Sequence, residues 1–119
     1  MAEVTLFHNP RCSTSRAALG EIEARGVDAE VVRYLTTPLD EVGLRELLDK
    51  LEDPPTDLVR RDATFAALGL TDDDVATADQ VARVVAANPK LMQRPVLVHG
   101  DRAIIGRPKD RVPEFLQPE

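Results

Sequence analysis

The sequence predicts an α/β protein with a mixed sheet and helices inserted between its two halves. Three observations carry this. A strand–helix–strand pattern fills the first 35 or so residues, helical periodicity dominates roughly residues 40–90, and an apolar hairpin with a short helix closes the chain. The 119 residues suit one domain and are too few for two ordinary ones, so residues 1–119 are expected to form a single unit. With 43% hydrophobic and 30% charged residues, the composition is globular, and the chain is long enough to bury a core without staples.

Glu3 to Phe7, with Val4, Leu6 and Phe7, reads as a short strand stopped by His8, Asn9 and Pro10. Ser13, Thr14 and Ser15 are helix-opening residue types; Ala18, Leu19 and Ile22 follow at helical spacing, and Gly26 supplies the stop. Val27 to Leu35, with Val31, Val32 and Tyr34, reads as a second strand, which makes a βαβ unit with parallel strands. Pro38 and Asp40 open a helix carrying Val42, Leu44, Leu47, Leu48 and Leu51, and Pro54-Pro55 breaks it. Shorter helical pieces follow around Leu58 to Leu68, and an apolar stripe of Val81, Val84, Val85 and Ala86 ends before Asn88-Pro89. Pro95 to His99 is an apolar strand, Gly100-Asp101 a two-residue hairpin signal, and Arg102 to Gly106 the returning strand. Pro108 to Leu116 reads as a closing helix that Pro113 is expected to shorten or kink. βαβ, a helical insert, then ββα is the thioredoxin arrangement with its middle expanded.

Charge and cysteine content exclude several functions. Fifteen basic against 21 acidic residues give a net charge of −6, which argues against nucleic acid as a partner, though not against a small anion held by focused arginines. The single cysteine excludes an internal disulfide, a dithiol pair and a cysteine-rich metal site, and no metal is expected. The apolar stretch near Met1 is broken by Glu3 and His8, and no run of about 18 apolar residues exists. The expectation is a cytoplasmic protein with neither a signal peptide nor a membrane span.

The chemically informative stretch is His8-Asn9-Pro10-Arg11-Cys12-Ser13-Thr14-Ser15-Arg16. It places Cys12 at the mouth of a helix, where free backbone N–H groups and the helix dipole stabilise negative charge. An ordinary thiol, with a pKa of about 8.5, is only roughly 3% thiolate at pH 7. His8, Arg11 and Arg16 are expected to push Cys12 further towards thiolate, and the hydroxyls of Ser13, Thr14 and Ser15 to donate to a thiolate or a bound oxyanion. Ser15 stands where the second cysteine of a Cys-x-x-Cys pair would be, so any disulfide of Cys12 must be made with another molecule. Arg94 enters the hairpin and Arg107 leaves it, which makes them neighbours in space. Guanidinium groups so placed suit bidentate binding of a tetrahedral oxyanion. Arg94-Pro95 is a candidate cis peptide of the kind that lines active sites.

The His8-Asn9-Pro10-x-Cys12-x-Thr14-Ser15-Arg16 loop resembles the active-site loop of the glutaredoxin-coupled arsenate reductases. The likeness continues through Tyr34-Leu35-x-Thr37-Pro38, Leu58-Val59-Arg60, Asn88-Pro89, Arg94-Pro95 and Gly106-Arg107-Pro108, in order along nearly the whole chain. The resemblance implies that Cys12 attacks arsenate, that Arg60, Arg94 and Arg107 bind the oxyanion, and that His8 helps keep the cysteine ionised. It also implies a glutathione-like thiol as external reductant, a glutaredoxin-like protein that resolves the mixed disulfide, and no bound cofactor. The sequence departs from the pattern at Ser13, where the best-known members carry glycine. Two other readings share the fold: a thiol-transfer enzyme acting on glutathione adducts without arsenate activity, and a Spx-type regulator binding RNA polymerase. Members of that last group usually carry Cys-x-x-Cys.

Overall fold

The computed structural model describes residues 3–116. Its sheet has the strand order β2-β1-β3-β4. β1 (Val4–Phe7) pairs in parallel with β2 (Ala29–Val32), joined by α1 (Ser13–Ala24). β3 (Val96–His99) lies antiparallel to β1 and forms a hairpin with β4 (Arg102–Ile105). The tight turn places Gly100 at φ +65, a backbone region that glycine enters without penalty. Between the halves lie α2 (Glu41–Lys50), α3 (Ala63–Ala67) and α4 (Ala78–Ala87), with 3-10 turns at Pro55–Leu58, Asp72–Val75 and Pro89–Leu91. α5 (Arg111–Leu116) follows the hairpin. Pro113 does not break α5, because it falls in the first turn, where its missing N–H has no carbonyl to serve.

Alternating residues of each strand serve two cores. Val4, Leu6, Leu97 and Ile104 pack with Ala18 and Ile22 of α1 and with Val112, Phe115 and Leu116 of α5. Phe7, Val96, Ala103 and Ile105 face the other way, onto the insert, where Leu44, Leu47 and Leu48 of α2 meet Val81, Ala82 and Val85 of α4. Local signals set the insert's helices: the Asp40 carboxylate accepts the Gly43 N–H at 2.7 Å, and Thr77 and Gln80 form a reciprocal capping box. Two isolated bridges, Leu51 with Ala103 and Val59 with Met92, pin the insert to the sheet and to the segment entering β3.

The second strand is shorter than the sequence predicts. β2 ends at Val32, and the N–H groups of Thr36 and Thr37 both donate to the Arg33 carbonyl, so the chain turns there and Tyr34 lies beyond the strand. As an edge strand β2 has a partner on one side only, and Val31 and Leu35 remain exposed; apolar content alone overstated its length. Among the described residues no helix is long and apolar enough to cross a membrane.

Candidate active site

The loop from His8 to Cys12 is held by its own backbone and by one buried hydroxyl. The His8 N–H donates to the Val32 carbonyl at 2.8 Å, carrying the β1–β2 pairing one step beyond the strand. The chain then turns so that the Cys12 N–H donates to the Asn9 carbonyl at 3.0 Å, while the Asn9 side-chain oxygen accepts the Arg11 N–H at 3.0 Å. Ser15, 0% exposed, accepts the Asn9 N–H at 3.0 Å and shares a 2.6 Å hydrogen bond with His8 Nδ1. The Ser15 hydroxyl, expected to serve a thiolate or an oxyanion, is thus engaged in holding the loop. Arg16 likewise braces it, donating to the Pro10 carbonyl at 3.0 Å. Arg11 and Ser13 are exposed and Thr14 is half-buried.

Cys12 occupies the N-cap of α1 in an extended conformation and is half-buried. No cap hydrogen bond of ordinary length and angle forms from its side chain. Burial acts to raise its pKa. The backbone N–H groups of Ser15 and Thr14, the Arg107 charge and an Arg94 hydrogen bond outweigh that and hold the thiol below its ordinary value. Arg107 Nη2 donates to Cys12 Sγ at 3.3 Å.

His8 contributes differently from the expectation. It is 4% exposed; burial first, then the charges of Arg33 and Arg16, push its pKa below the ordinary histidine value. The lowered value favours the neutral ring, which is hydrogen-bonded through Nδ1 to Ser15.

Arg94 and Arg107 meet as the hairpin argument requires: Arg107 Nε donates to the Arg94 carbonyl at 2.7 Å, and the Gly106 N–H to the Pro95 carbonyl at 2.8 Å. Both Arg94–Pro95 and Arg107–Pro108 are cis, the second unforeseen from sequence. Gly106 has a steric reason: a Cβ there would come within 2.8 Å of buried Pro95. The Arg107 loop is anchored from behind by Arg111, whose Nη1 donates to Asp53 Oδ1 and the Ile105 carbonyl, both at 2.9 Å, and to the Arg107 carbonyl at 3.3 Å. Asp53 also accepts the Ile105 N–H at 2.9 Å. Asp53 and Arg111 are 58 residues apart, so no local sequence signal could have found them.

Arg60 is held by other partners. Its backbone N–H donates to the Leu91 carbonyl at 2.8 Å, beside the approach to Arg94, but its guanidinium pairs with Asp62 at 3.8 Å. Arg61 is taken up structurally, donating to the carbonyls of Thr56 and Val59, pairing with Asp72 at 3.2 Å and lying 5.6 Å over the Phe65 ring. A cleft of about 420 Å³ opens beside Arg107, lined also by Arg61, Gln93, Arg111, Asp53 and Asp57. Among the described residues no three His, Cys, Asp or Glu side chains group as metal ligands.

The pattern that describes the ArsC family matches residues 7–115. An arsenate reductase of Neisseria meningitidis serogroup A is 39% identical over 118 residues, covering 98% of this chain and all of that protein. An arsenate reductase of Escherichia coli is 32% identical, over 98% of this chain and 82% of that one. Among solved structures, an arsenate reductase from Vibrio cholerae superposes with a TM-score of 0.85 at 32% identity, covering 97% of this chain and 98% of that one. These matches span the Cys12 loop, the insert and the arginine-bearing hairpin together, and on them the chain belongs to the ArsC family.

Proposed function

We propose that the protein reduces arsenate to arsenite through a covalent adduct on Cys12. The observation that carries the reading is a helix-mouth cysteine with a lowered pKa, in direct contact with a guanidinium that itself bonds to a second arginine residue. The Cys12 thiolate attacks arsenic, an S–As bond forms, and hydroxide departs and is protonated to water. Arg94 and Arg107 neutralise the oxyanion, which carries about −1.5 to −2 near pH 7 if it behaves as a phosphate monoester does. Arg60 joins them by exchanging the Asp62 carboxylate for the anion, and Thr14 and Ser13 lie at the helix mouth beside it.

An external thiol of the glutathione type then attacks Cys12 sulfur. The S–As electron pair stays on arsenic, arsenite leaves, and Cys12 is left in a mixed disulfide. A second thiol, delivered by a glutaredoxin-like protein, attacks that disulfide and returns Cys12 as thiolate. Two thiols are oxidised to one disulfide while arsenic gains two electrons. Support for external resolution comes from the residue at the usual second-cysteine position: Ser15 is buried and bonded to His8. No bound cofactor or metal enters this scheme. A coupled assay of arsenate-dependent NADPH oxidation, run with glutathione and other thiol systems, tests it. Turnover that needs arsenate, thiol and Cys12 supports it; thiol exchange on glutathione adducts without arsenate consumption would assign the protein to that chemistry instead.

A further inference from the structure

Cys12 is the sole cysteine, and the buried hydroxyl of Ser15 stands where a resolving thiol would be, so each turnover brings a second molecule to the sulfur. The structure holds a cleft suited to that molecule. About 420 Å³ of space opens beside Arg107. Small-molecule sites typically span about 300–1,000 Å³. Arg107 also donates through Nη2 to Cys12 Sγ at 3.3 Å, so one guanidinium borders both the cleft and the sulfur.

The insert and the hairpin both line this cleft, and backbone bonds fix one to the other. The 3-10 turn Pro55–Leu58 carries Asp57, and the Leu58 carbonyl accepts the Gln93 N–H at 2.7 Å, which ties that turn to the segment entering β3. Several lining groups have donors or acceptors that the fold does not use. Arg111 is held through Nη1 alone, on Asp53 and on the Ile105 and Arg107 carbonyls, so its Nε and Nη2 are uncommitted. Gln93 gives its side-chain oxygen to the Arg94 N–H at 3.3 Å and keeps its amide N–H groups. Asp57 is exposed, and among the described residues its carboxylate enters no hydrogen bond or ion pair. Arg61 lines the cleft too but is taken up by Thr56, Val59 and Asp72.

Both signs of charge thus line one cleft. A simple anion would meet Asp57, a simple cation would meet Arg107 and Arg111, and an uncharged thiol would gain from none of them. A ligand with carboxylate and ammonium groups satisfies them all. We propose that this cleft seats the thiol reductant, and that its class is a small zwitterionic thiol with its ammonium on Asp57 and a carboxylate on Arg111 and Gln93. An extended tripeptide spans up to about 10 Å, enough to pass one guanidinium and reach the sulfur. Once its proton has gone to solvent, the thiolate makes the S–S bond to Cys12 as the S–As electron pair leaves with arsenic. The assignment rests on the reading of Cys12 as a nucleophile released by an external thiol, and adds the class of that thiol and its seat.

S-methylglutathione, which carries the charges of such a thiol but no S–H, is the probe. Titrating it into wild-type protein without arsenate should give saturable NMR shifts at Gln93, Arg107 and Arg111. Asp57→Asn should weaken binding on the order of fivefold, between an exposed ion pair and a buried charged hydrogen bond, and Asp57→Glu should restore it. N-acetylation of the probe removes its ammonium; it should weaken binding to wild type by a similar factor and change nothing in Asp57→Asn, which locates the ammonium on Asp57. Asp101→Asn, in the β3–β4 turn at the opposite end of the hairpin, should bind as wild type does. Absence of saturable shifts, or equal affinity in wild type and Asp57→Asn, overturns the proposal. Arsenate turnover driven as well by 2-mercaptoethanol as by glutathione at equal thiolate concentration does so too, since the cleft would then select nothing. Asp57-dependent binding in a protein that never consumes arsenate would instead sink the arsenate reading and leave the cleft assigned.

Discussion

At the residue level, the chemistry turns on how the pKa of one half-buried sulfur is lowered. Burial alone would raise the Cys12 pKa; two backbone N–H groups and two arginines reverse the sign. Removing Arg107, whose Nη2 lies 3.3 Å from the sulfur, should therefore move the alkylation midpoint up towards the ordinary thiol value of about 8.5. Arg107→Ala should also lower kcat/KM for arsenate by about 10²–10³, as when one preorganised oxyanion donor is lost. Arg107→Lys should recover part of the midpoint shift but little of the rate, because a compact ammonium lacks the planar fork that spans the sulfur, the Arg94 carbonyl and an anion. An unchanged midpoint in Arg107→Ala would leave the backbone N–H groups as sufficient. Ser15 shows the converse case, a polar residue whose position suggested chemistry and whose partners are structural. Ser15→Ala strands the buried Asn9 N–H and should cost about 1–3 kcal/mol in urea unfolding. Asn9 was not singled out in the sequence, although its amide orders the turn that presents Cys12; a strand-end Asn before Pro reads only as a stop signal.

At the element level, the hairpin is the device that carries both contacting arginines to the cysteine, and it was legible because Gly100-Asp101 and the flanking apolar runs are local signals. The βαβ half was legible for the same reason. Two things were not. The length of β2 depends on which side of an edge strand is paired, and the partners of Arg60 and Arg111 depend on tertiary contacts. The same reasoning locates the element most sensitive to small change. Gly106 lies where a Cβ would meet Pro95 at 2.8 Å and Leu97 and Val112 at 3.1 Å, each in a buried, packed setting. Gly106→Ala should therefore push the β4 exit away from the β3 entry and move Arg107 with it. The expected outcome is an overpacking loss of about 1–3 kcal/mol and a rise in the Cys12 midpoint in the same variant. Asp53→Asn, which weakens the Arg111 anchor but leaves the hairpin sterics alone, should reduce stability by about 1–2 kcal/mol with a smaller effect on the midpoint. If Gly106→Ala unfolds early in urea yet keeps the wild-type midpoint, the hairpin does not position Arg107 through this contact.

Over the whole molecule, a net charge of −6 coexists with a cationic site, because surface carboxylates beyond about 8–10 Å are screened by salt while Arg107 touches the sulfur. The pH dependence of stability reports the buried end of that site. His8 has a folded-state pKa below its unfolded value, so in acid the unfolded chain binds a proton there that the folded chain resists. Its contribution is thus fully present above the unfolded value of about 6.5 and is lost as the pH falls from there towards the folded value, at a slope of up to about 1.4 kcal/mol per pH unit. Two other groups have to be kept apart from it. Glu52, held below its ordinary value by Arg102, contributes stability that disappears only below about 4.5. Cys12, also lowered, contributes above its folded value and reaches its full effect near 8.5. Urea unfolding between pH 6.5 and 5 in a Cys12→Ser background therefore isolates His8. Stability should fall across that window, and adding His8→Gln should flatten the fall even if it lowers the absolute stability at pH 7 through loss of the Ser15 hydrogen bond. A slope that is the same with and without His8 would show that the ring takes up its proton equally well folded and unfolded, and that it does not lie in the neutral, loop-holding state assigned to it.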